Sequence, residues 1–387
     1  MTRPTFSPTH CLSLALLASV AAMNGCNENS GLTNPFRHKE EPPPPLKGSE
    51  AIDRDAYAKI GYSLAWSSFV AFDRVGKGTV DKATVLGDLL VISDDTTATS
   101  ALNTTSGSPK WALQVDDRGG RFKSFSRLNG QILATNETEV FMINAETGQL
   151  VDRQRLPHLS STAPIVFGDL FVYGSGDLVV AHSLGIKEQA WAYRFPSPIK
   201  IDPVWTGGTT ACFVSNDGNV GILDCATGTM VGFGRMYKNA GAVPAVGDGA
   251  VFIAGSDQSL WSFNLADGSR RWQVRTEVPL MATPSVYGQH VMTYVTGAGT
   301  VCVNSRTGDQ EWVNKTLNGS MVAVRKGNPV FWDSATGVAK VIDAARGDVI
   351  VQVTLPNVAR IVNGGSFADG DLYTISARGE VSKFVPR

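Results

Sequence analysis

The chain has 387 residues, 43% apolar and 18% charged, with a formal net charge of −1. That length suits one large domain or two ordinary ones, and the near-neutral balance excludes the basic footprint of a nucleic-acid binder. Forty glycines and nineteen prolines favour a fold of frequent tight turns over a helical one. The five cysteines, Cys11, Cys26, Cys212, Cys225 and Cys302, contain no C-x-x-C pair, which argues against a zinc ribbon or a thioredoxin-like redox site.

The first segment reads MTRPTFSPTHCLSLALLASVAAMNGC (1–26). Arg3 gives a basic start, and the apolar run from Cys11 to Met23 has the length of a signal-peptide core. It is short for a membrane span, which needs about 20 apolar residues. Its end, MNGC, resembles the lipobox of bacterial lipoproteins. The expectation is a signal peptide over residues 1–25 and a lipid on Cys26, the alternative being a plain secretory signal. Residues 26–58 are polar and carry Pro42 to Pro45, so they are expected to form a disordered, extended tether to a folded domain over 59–387. In Gram-negative lipoproteins an Asp after the lipidated Cys retains the protein at the inner membrane. Asn27 stands there, which favours the outer membrane with the domain in the periplasm.

From there the chain repeats itself. A turn glycine recurs at Gly107, Gly148, Gly185, Gly228, Gly268, Gly308 and Gly347. Asn or Asp precedes most of them by four residues, as at Asn103, Asn144, Asp224, Asn264, Asn304 and Asp343. A short polar side chain can bond the turn backbone, and Gly can take a positive φ. Trp follows at Trp111, Trp272 and Trp312, and two positions late at Trp191, while Asp152, Gly232 and Val351 mark decayed slots. A second turn recurs at Gly87, Gly130, Gly168, Gly208, Gly247, Gly288, Gly327 and Gly370, each followed by a β-rich run such as LLVIS or AVFIAG. Each period of about forty residues therefore holds four short antiparallel strands, which predicts an all-β, eight-bladed propeller. Eight copies of one turn against seven of the other leave the last blade one strand short after GEVSKFVPR. The strand YSLAWSSFV (62–70), with Trp66, is expected to complete it and close the ring. The recurring Gly and Trp residues are expected to be structural, each Trp packing into a blade interface.

The stretches ALNTTSGSPKW (101–111), FNLADGSRRW (263–272) and VNSRTGDQEW (303–312) resemble the quinoprotein-type repeat. Over residues 62–387 the chain is similar to PQQ-binding-like propellers. As a lipid-anchored single-domain propeller it most resembles the BamB family of outer-membrane assembly scaffolds. That resemblance implies a non-catalytic envelope scaffold without a cofactor, whose propeller binds a β-barrel assembly component. RLPHLSSTAP (155–164) lies in an inter-blade region comparable to the family's partner loop, without matching it residue by residue.

The alternative is a periplasmic PQQ-dependent dehydrogenase or a small-molecule binder using the channel. Its relatives are longer, with a calcium site, a catalytic Asp and often a vicinal disulfide. No adjacent cysteines and no calcium-like cluster occur here. The pairs Asp94–Asp95 and Asp116–Asp117 read as solvated hairpin turns. No H-E-x-x-H, P-loop or G-x-S-x-G motif is present. Of the scattered histidines His10, His38, His158, His182 and His290, the pair His158 and His182 read as surface or edge residues. RGGRFKS (118–124) reads as a solvated turn or as a polar contact at the channel mouth. No catalytic, cofactor-binding or metal-binding residue is assigned. Cys212 and Cys225 are expected to face each other across a hairpin turning at 217–219, as a candidate disulfide or two buried thiols; Cys302 has no evident partner. A cofactor site would need convergent polar groups over an aromatic floor, whereas a scaffold needs an exposed loop patch.

Overall fold

The computed structural model describes residues 52–70, 79–115 and 121–387; Cys26, the signal segment and most of the expected tether lie outside these. Among the described residues, thirty-two strands form eight four-stranded antiparallel sheets. Seven follow the chain in order, as blades 1 to 7 over residues 80–114, 124–155, 165–194, 204–235, 245–275, 285–314 and 320–354. Blade 8 combines three C-terminal strands with the N-terminal strand Tyr62–Phe69. First strands of neighbouring blades lie side by side, Val80–Leu86 touching both Ser124–Leu128 and Arg360–Asn363. They therefore surround the central channel, and the fourth strands form the rim.

Burial follows from this stacking. Second and third strands are covered on both faces by adjacent blades, so Leu89–Asp94 and Ala250–Gly255 are buried throughout. Rim strands alternate, as in Pro109–Gln114. The core is a set of clusters between blades. Leu89, Val91 and Trp111 of blade 1 meet Phe125, Ile132 and Phe141 of blade 2, for example.

Hairpins between first and second strands use two-residue loops of two kinds. Asn129–Gly130 and Asp248–Gly249 place both residues at positive φ, whereas Gly87–Asp88 and Gly288–Gln289 do so only at Gly. In blade 5 the turn is thus Asp248–Gly249 and Gly247 pairs with Ala250, a shift from the expected glycine. Gly370 lies in a longer loop of blade 8.

The turns between third and fourth strands hold the ring together. The Trp66, Trp111, Trp191, Trp272 and Trp312 indole N–H groups donate to Thr104 O, Ala145 O, Cys225 O, Ser305 O and Ala344 O at 2.9–3.2 Å. Each carbonyl belongs to the turn of the following blade. The indoles lie flat on Gly107, Gly148, Gly228, Gly308 and Gly347, where a Cβ would come within 2.5–2.9 Å of the ring. Each Trp and the glycine expected in its own period are therefore parts of two successive joints.

The three slots without Trp have specific substitutes. Between blades 2 and 3, Gln154 Nε2 donates to Leu184 O at 2.9 Å. The turn there takes its positive φ at Lys187, and Lys187 N–H closes it on Ser183 O. This corrects the expected Gly185: measured from Lys187, Trp191 stands at the regular spacing. Between blades 4 and 5, two glycines let backbones touch. Phe233 N–H donates to Asp267 O at 3.1 Å, and a Cβ on Gly232 would lie 2.6 Å from Gly268 N.

The third substitute lies at the closure. Tyr62–Phe69 pairs with Glu380–Pro386 from Tyr62↔Pro386 to Phe69↔Glu380, as the turn count predicts. Blade 8 has no turn joining these strands, so blade 7 has no socket for a Trp, and Val351 stands in that slot. A helix, Arg54–Lys59, fills the seam instead. Asp53 caps it by accepting from Asp55 N–H and Ala56 N–H, and Tyr57 stacks on Phe384 at 3.6 Å. This helix falls within the segment expected to be tether, ahead of residue 59. Arg325, almost fully buried, donates to Gly61 O and Arg387 O at 3.1 Å, pairs with Asp369, and lies over the Tyr62 ring. One side chain of blade 7 thereby holds both ends of the ring.

The facing of Cys212 and Cys225 is corrected. The hairpin turns about Asp217, which sets Cys212 opposite Ile222 and leaves Cys225 N–H bonded to Thr209 O. The two residues join clusters on opposite faces of blade 4 and are free thiols. Burial pushes both up to about 12.

Candidate functional site

The loops that lead from the rim of one blade to the channel strand of the next share one face of the ring. Four of them, 156–164, 195–203, 236–244 and 276–284, have equal length and end in Pro164, Pro203, Pro244 and Pro284. Each is pinned at its middle, where Ser160, Ile199, Ala240 and Leu280 are buried. The pins are backbone bonds to the sheets beneath, such as Ser160 N–H to Glu137 O, Ile199 N–H to Gly176 O, Gly241 N–H to Ala254 O and Leu280 N–H to Gly255 O. Loops also brace one another. Ser161 Oγ donates to Ile199 O at 2.8 Å, and Ser197 Oγ donates to Asp217 at 2.7 Å. Gly241 lets loop 276–284 approach so closely that a Cβ there would lie 2.0 Å from Leu280 O.

These rigid loops expose apolar side chains that the protein itself leaves uncovered. Leu159, Tyr237 and Met281 are 67%, 64% and 65% exposed. Tyr237 is propped edge-on against Trp261, whose indole N–H donates to Asp257. Large apolar side chains held out on a rigid frame are what a protein-binding surface requires. Leu159 falls in the segment singled out from the sequence. Tyr237 and Met281 do not, although recurring prolines at Pro164, Pro203, Pro244 and Pro284 mark their loops.

The same face holds a cavity of about 680 Å³ lined by Asp81, Lys82, Arg121, Phe122, Lys123 and Glu137 among others. Arg121 and Lys123, from the basic segment, thus reach its wall, where Arg121 meets Asp81 at 3.7 Å and Lys123 meets Glu137 at 3.6 Å. Arg118 lies outside the described residues, as do Asp116 and Asp117. The cavity does not suit a planar, polyanionic quinone. Among its described lining residues Arg121 and Lys123 are paired with acids, and the one aromatic, Phe122, is buried against Phe125 and Phe141 and offers no ring face.

The remaining candidates are structural. Asp94 accepts from Thr96 N–H and Ala98 N–H within its turn, and Asp95 accepts from Thr79 N–H. His158 is exposed and bonds Gln189 at 3.0 Å. His182 is buried and shares a hydrogen bond with Gln154, and burial holds its pKa below the ordinary histidine value. No helix among the described residues is long and apolar enough to cross a membrane.

Comparison with known proteins adds the family. The crystal structure of BamB from Moraxella catarrhalis superposes with a TM-score of 0.66 at 17% identity, covering 84% of this chain and 97% of that one. A computationally designed protein, Ika8, superposes with a TM-score of 0.63 at 12% identity, covering 80% and 96%. At these identities the likeness is one of fold. No curated protein matches the chain in sequence. A family profile described as outer membrane protein assembly factor BamB matches residues 136–347 and 234–384, together well over half of the chain, and the protein therefore belongs to that family.

Proposed function

We propose that the protein is a non-catalytic envelope scaffold that presents its inter-blade loop face to a component of the outer-membrane β-barrel assembly machinery. The observation that carries the reading is the family match across residues 136–384, coupled to braced loops with uncovered apolar tips. Preorganised loops bind without a large ordering cost, which favours a scaffold. In this reading residues 1–25 are removed, Cys26 carries the lipid, and the segment behind it tethers the ring to the outer membrane.

A photo-crosslinking residue placed at Tyr237 or Met281 in living cells tests the face. Crosslinks to a β-barrel assembly component are expected; their absence there, with crosslinks from the opposite face, overturns the assignment. Cys26→Ser is expected to release the protein from membranes, and a variant that still sediments after a salt wash refutes the anchor. Supplied with PQQ and calcium, the protein is expected neither to retain PQQ nor to reduce dye with alcohols or sugars. Stoichiometric PQQ binding with dye reduction would establish the enzyme reading instead.

A further inference from the structure

Blade 6 carries a group of side chains that the rest of the ring does not repeat. His290 opens its second strand, Cys302 lies in its third, and Glu311 is the extra residue at the bulge of its fourth. Glu311 Oε2 stands 2.5 Å from His290 Nδ1 and 3.4 Å from Cys302 Sγ, and all three atoms lie within 4.8 Å of one another. Among the described residues no other trio of His, Cys, Asp or Glu converges in this way.

The propeller supplies its own control. Every blade has the same register and the same bulge, so the three positions can be compared around the ring. Blade 5 holds Ala250, Ser262 and Arg271 there, and blade 7 holds Asn328, Val341 and Ile350. In blades 1 to 5 and 7 none of the three positions carries His, Cys, Asp or Glu, and in blade 8, where the bulge lies opposite Lys383, only the first does, as Asp371, which pairs with Lys383 instead. The bulge recurs in all eight blades. In blade 6 alone it also turns a carboxylate back over the sheet, the re-aiming that bulges allow.

The chemistry of the donors narrows the ligand. One imidazole nitrogen, one thiol sulfur and one carboxylate oxygen form a mixed set that suits a borderline-soft divalent ion of the zinc type, whereas calcium and magnesium take oxygen alone. Around such an ion, with bonds of about 2.0–2.3 Å, neighbouring ligand atoms stand roughly 3.3–3.8 Å apart. Sulfur and carboxylate already have that separation, and the His290–Glu311 pair reaches it by opening about 1 Å. Asn304 Nδ2 donates to Glu311 Oε1 at 3.1 Å and fixes the other carboxylate oxygen, the outer-shell support that metal ligands require. Cys302 is buried against Trp312 and Met292, while the side chains of His290 and Glu311 are 25% and 23% exposed, so the group is dry on one side and open on the other.

We propose that His290 Nδ1, Cys302 Sγ and Glu311 Oε2 form a three-ligand site for a divalent transition-metal ion of the zinc class, with a fourth position open to water. On binding, the Cys302 thiol gives its proton to solvent, His290 coordinates as the neutral ring protonated at Nε2, and Glu311 binds as the carboxylate. No electron is transferred. Two negative ligands balance the dication, and the loaded site carries no net charge, which suits its partial burial.

The test uses the full chain in detergent, stripped with a chelator and titrated with Co²⁺. One equivalent is expected to raise a thiolate-to-cobalt charge-transfer band and release one thiol proton, with Zn²⁺ displacing the band and raising the melting temperature. Cys302→Ser is expected to abolish the band. His290→Gln and Glu311→Gln, at partly exposed positions outside the core, are expected to weaken binding at least as much as Asn304→Ala, which should cost about tenfold. Absence of the band in the unaltered chain overturns the proposal. So does a band that survives Cys302→Ser, or an unchanged affinity in both His290→Gln and Glu311→Gln.

Discussion

The one-way joint between blades can be isolated by a pair of glycine substitutions. Gly347 has φ +74° and receives the Trp312 ring, and a Cβ there would lie 2.5 Å from Cδ2 and Cε3. Gly130 has φ +76° and nothing within 4 Å of the same position. Replacing either by Ala forces a left-handed residue, at about 1–2 kcal/mol. Only Gly347→Ala also drives a methyl into a rigid indole that is buried and bonded to Ala344 O at 2.9 Å. Overpacking of this kind costs about 1–3 kcal/mol. Because the φ cost is common to both, the difference between the two variants measures the joint, and Gly347→Ala should be the less stable by about 1–3 kcal/mol. Urea unfolding followed by tryptophan fluorescence gives both values, provided the slopes agree. Equal losses would show that the indole adapts without cost and that the glycines are needed only for their turn conformation.

Three further outcomes follow from the same structure. A chain starting at Asp53 should melt as the full chain does, and one starting at Tyr62 should lose about 1.5–3 kcal/mol with the buried Tyr57 ring. One starting at Ala71 should fail to fold, and equal melting temperatures for the Asp53 and Ala71 starts would refute the ring closure. Asp217 braces loop 195–203: partial burial works to raise its pKa, but hydrogen bonds from Ser215, Ser197 and Asn219 hold it at about 2. Its unfolded value is about 3.9, so its contribution is complete above about pH 4 and fades as pH falls towards 2. Acid titration of stability should therefore be shallower over that window in Asp217→Asn, and an unchanged slope refutes the brace. Alkylation under denaturing, non-reducing conditions followed by mass spectrometry should find Cys212 and Cys225 both modified, and a linked peptide would contradict the register of blade 4.

The blade count was legible because each period must spend residues on two turns with positive φ and on one large ring, and those residues are chemically conspicuous. Trp66 announced the closure for the same reason. What escaped reading has physical causes. Lys187 takes the left-handed conformation that glycine takes in most of the other turns, and Gly185 two residues ahead of it has the spacing of the repeat without that conformation. The Cys212–Cys225 register depended on where the turn centres, and Asp217 fixes it by side-chain bonds that no spacing rule reveals. The Asp53 cap was hidden in a polar stretch that reads as tether. Tyr237 and Met281 are mostly exposed and so leave no periodic trace beyond the prolines that end their loops. His290, Cys302 and Glu311 come together only through a bulge on top of two strand registers.

Seven of the eight joints reach forward, from a rim strand to the turn of the blade that follows. The strand bearing Trp66 is made first and finds its socket at Gly107 as soon as blade 1 exists, whereas its hydrogen-bonding partner, Glu380–Pro386, is made last. Until then the molecule is an open arc with one raw edge at each end, and the two edges fit each other. A chain that closes on itself becomes a ring. A chain whose last strand is held back can offer its raw end to the waiting end of another copy, which is a head-to-tail contact with no symmetry to stop it. The N-terminal strand that completes the eighth blade therefore removes the two edges at which such a contact would start.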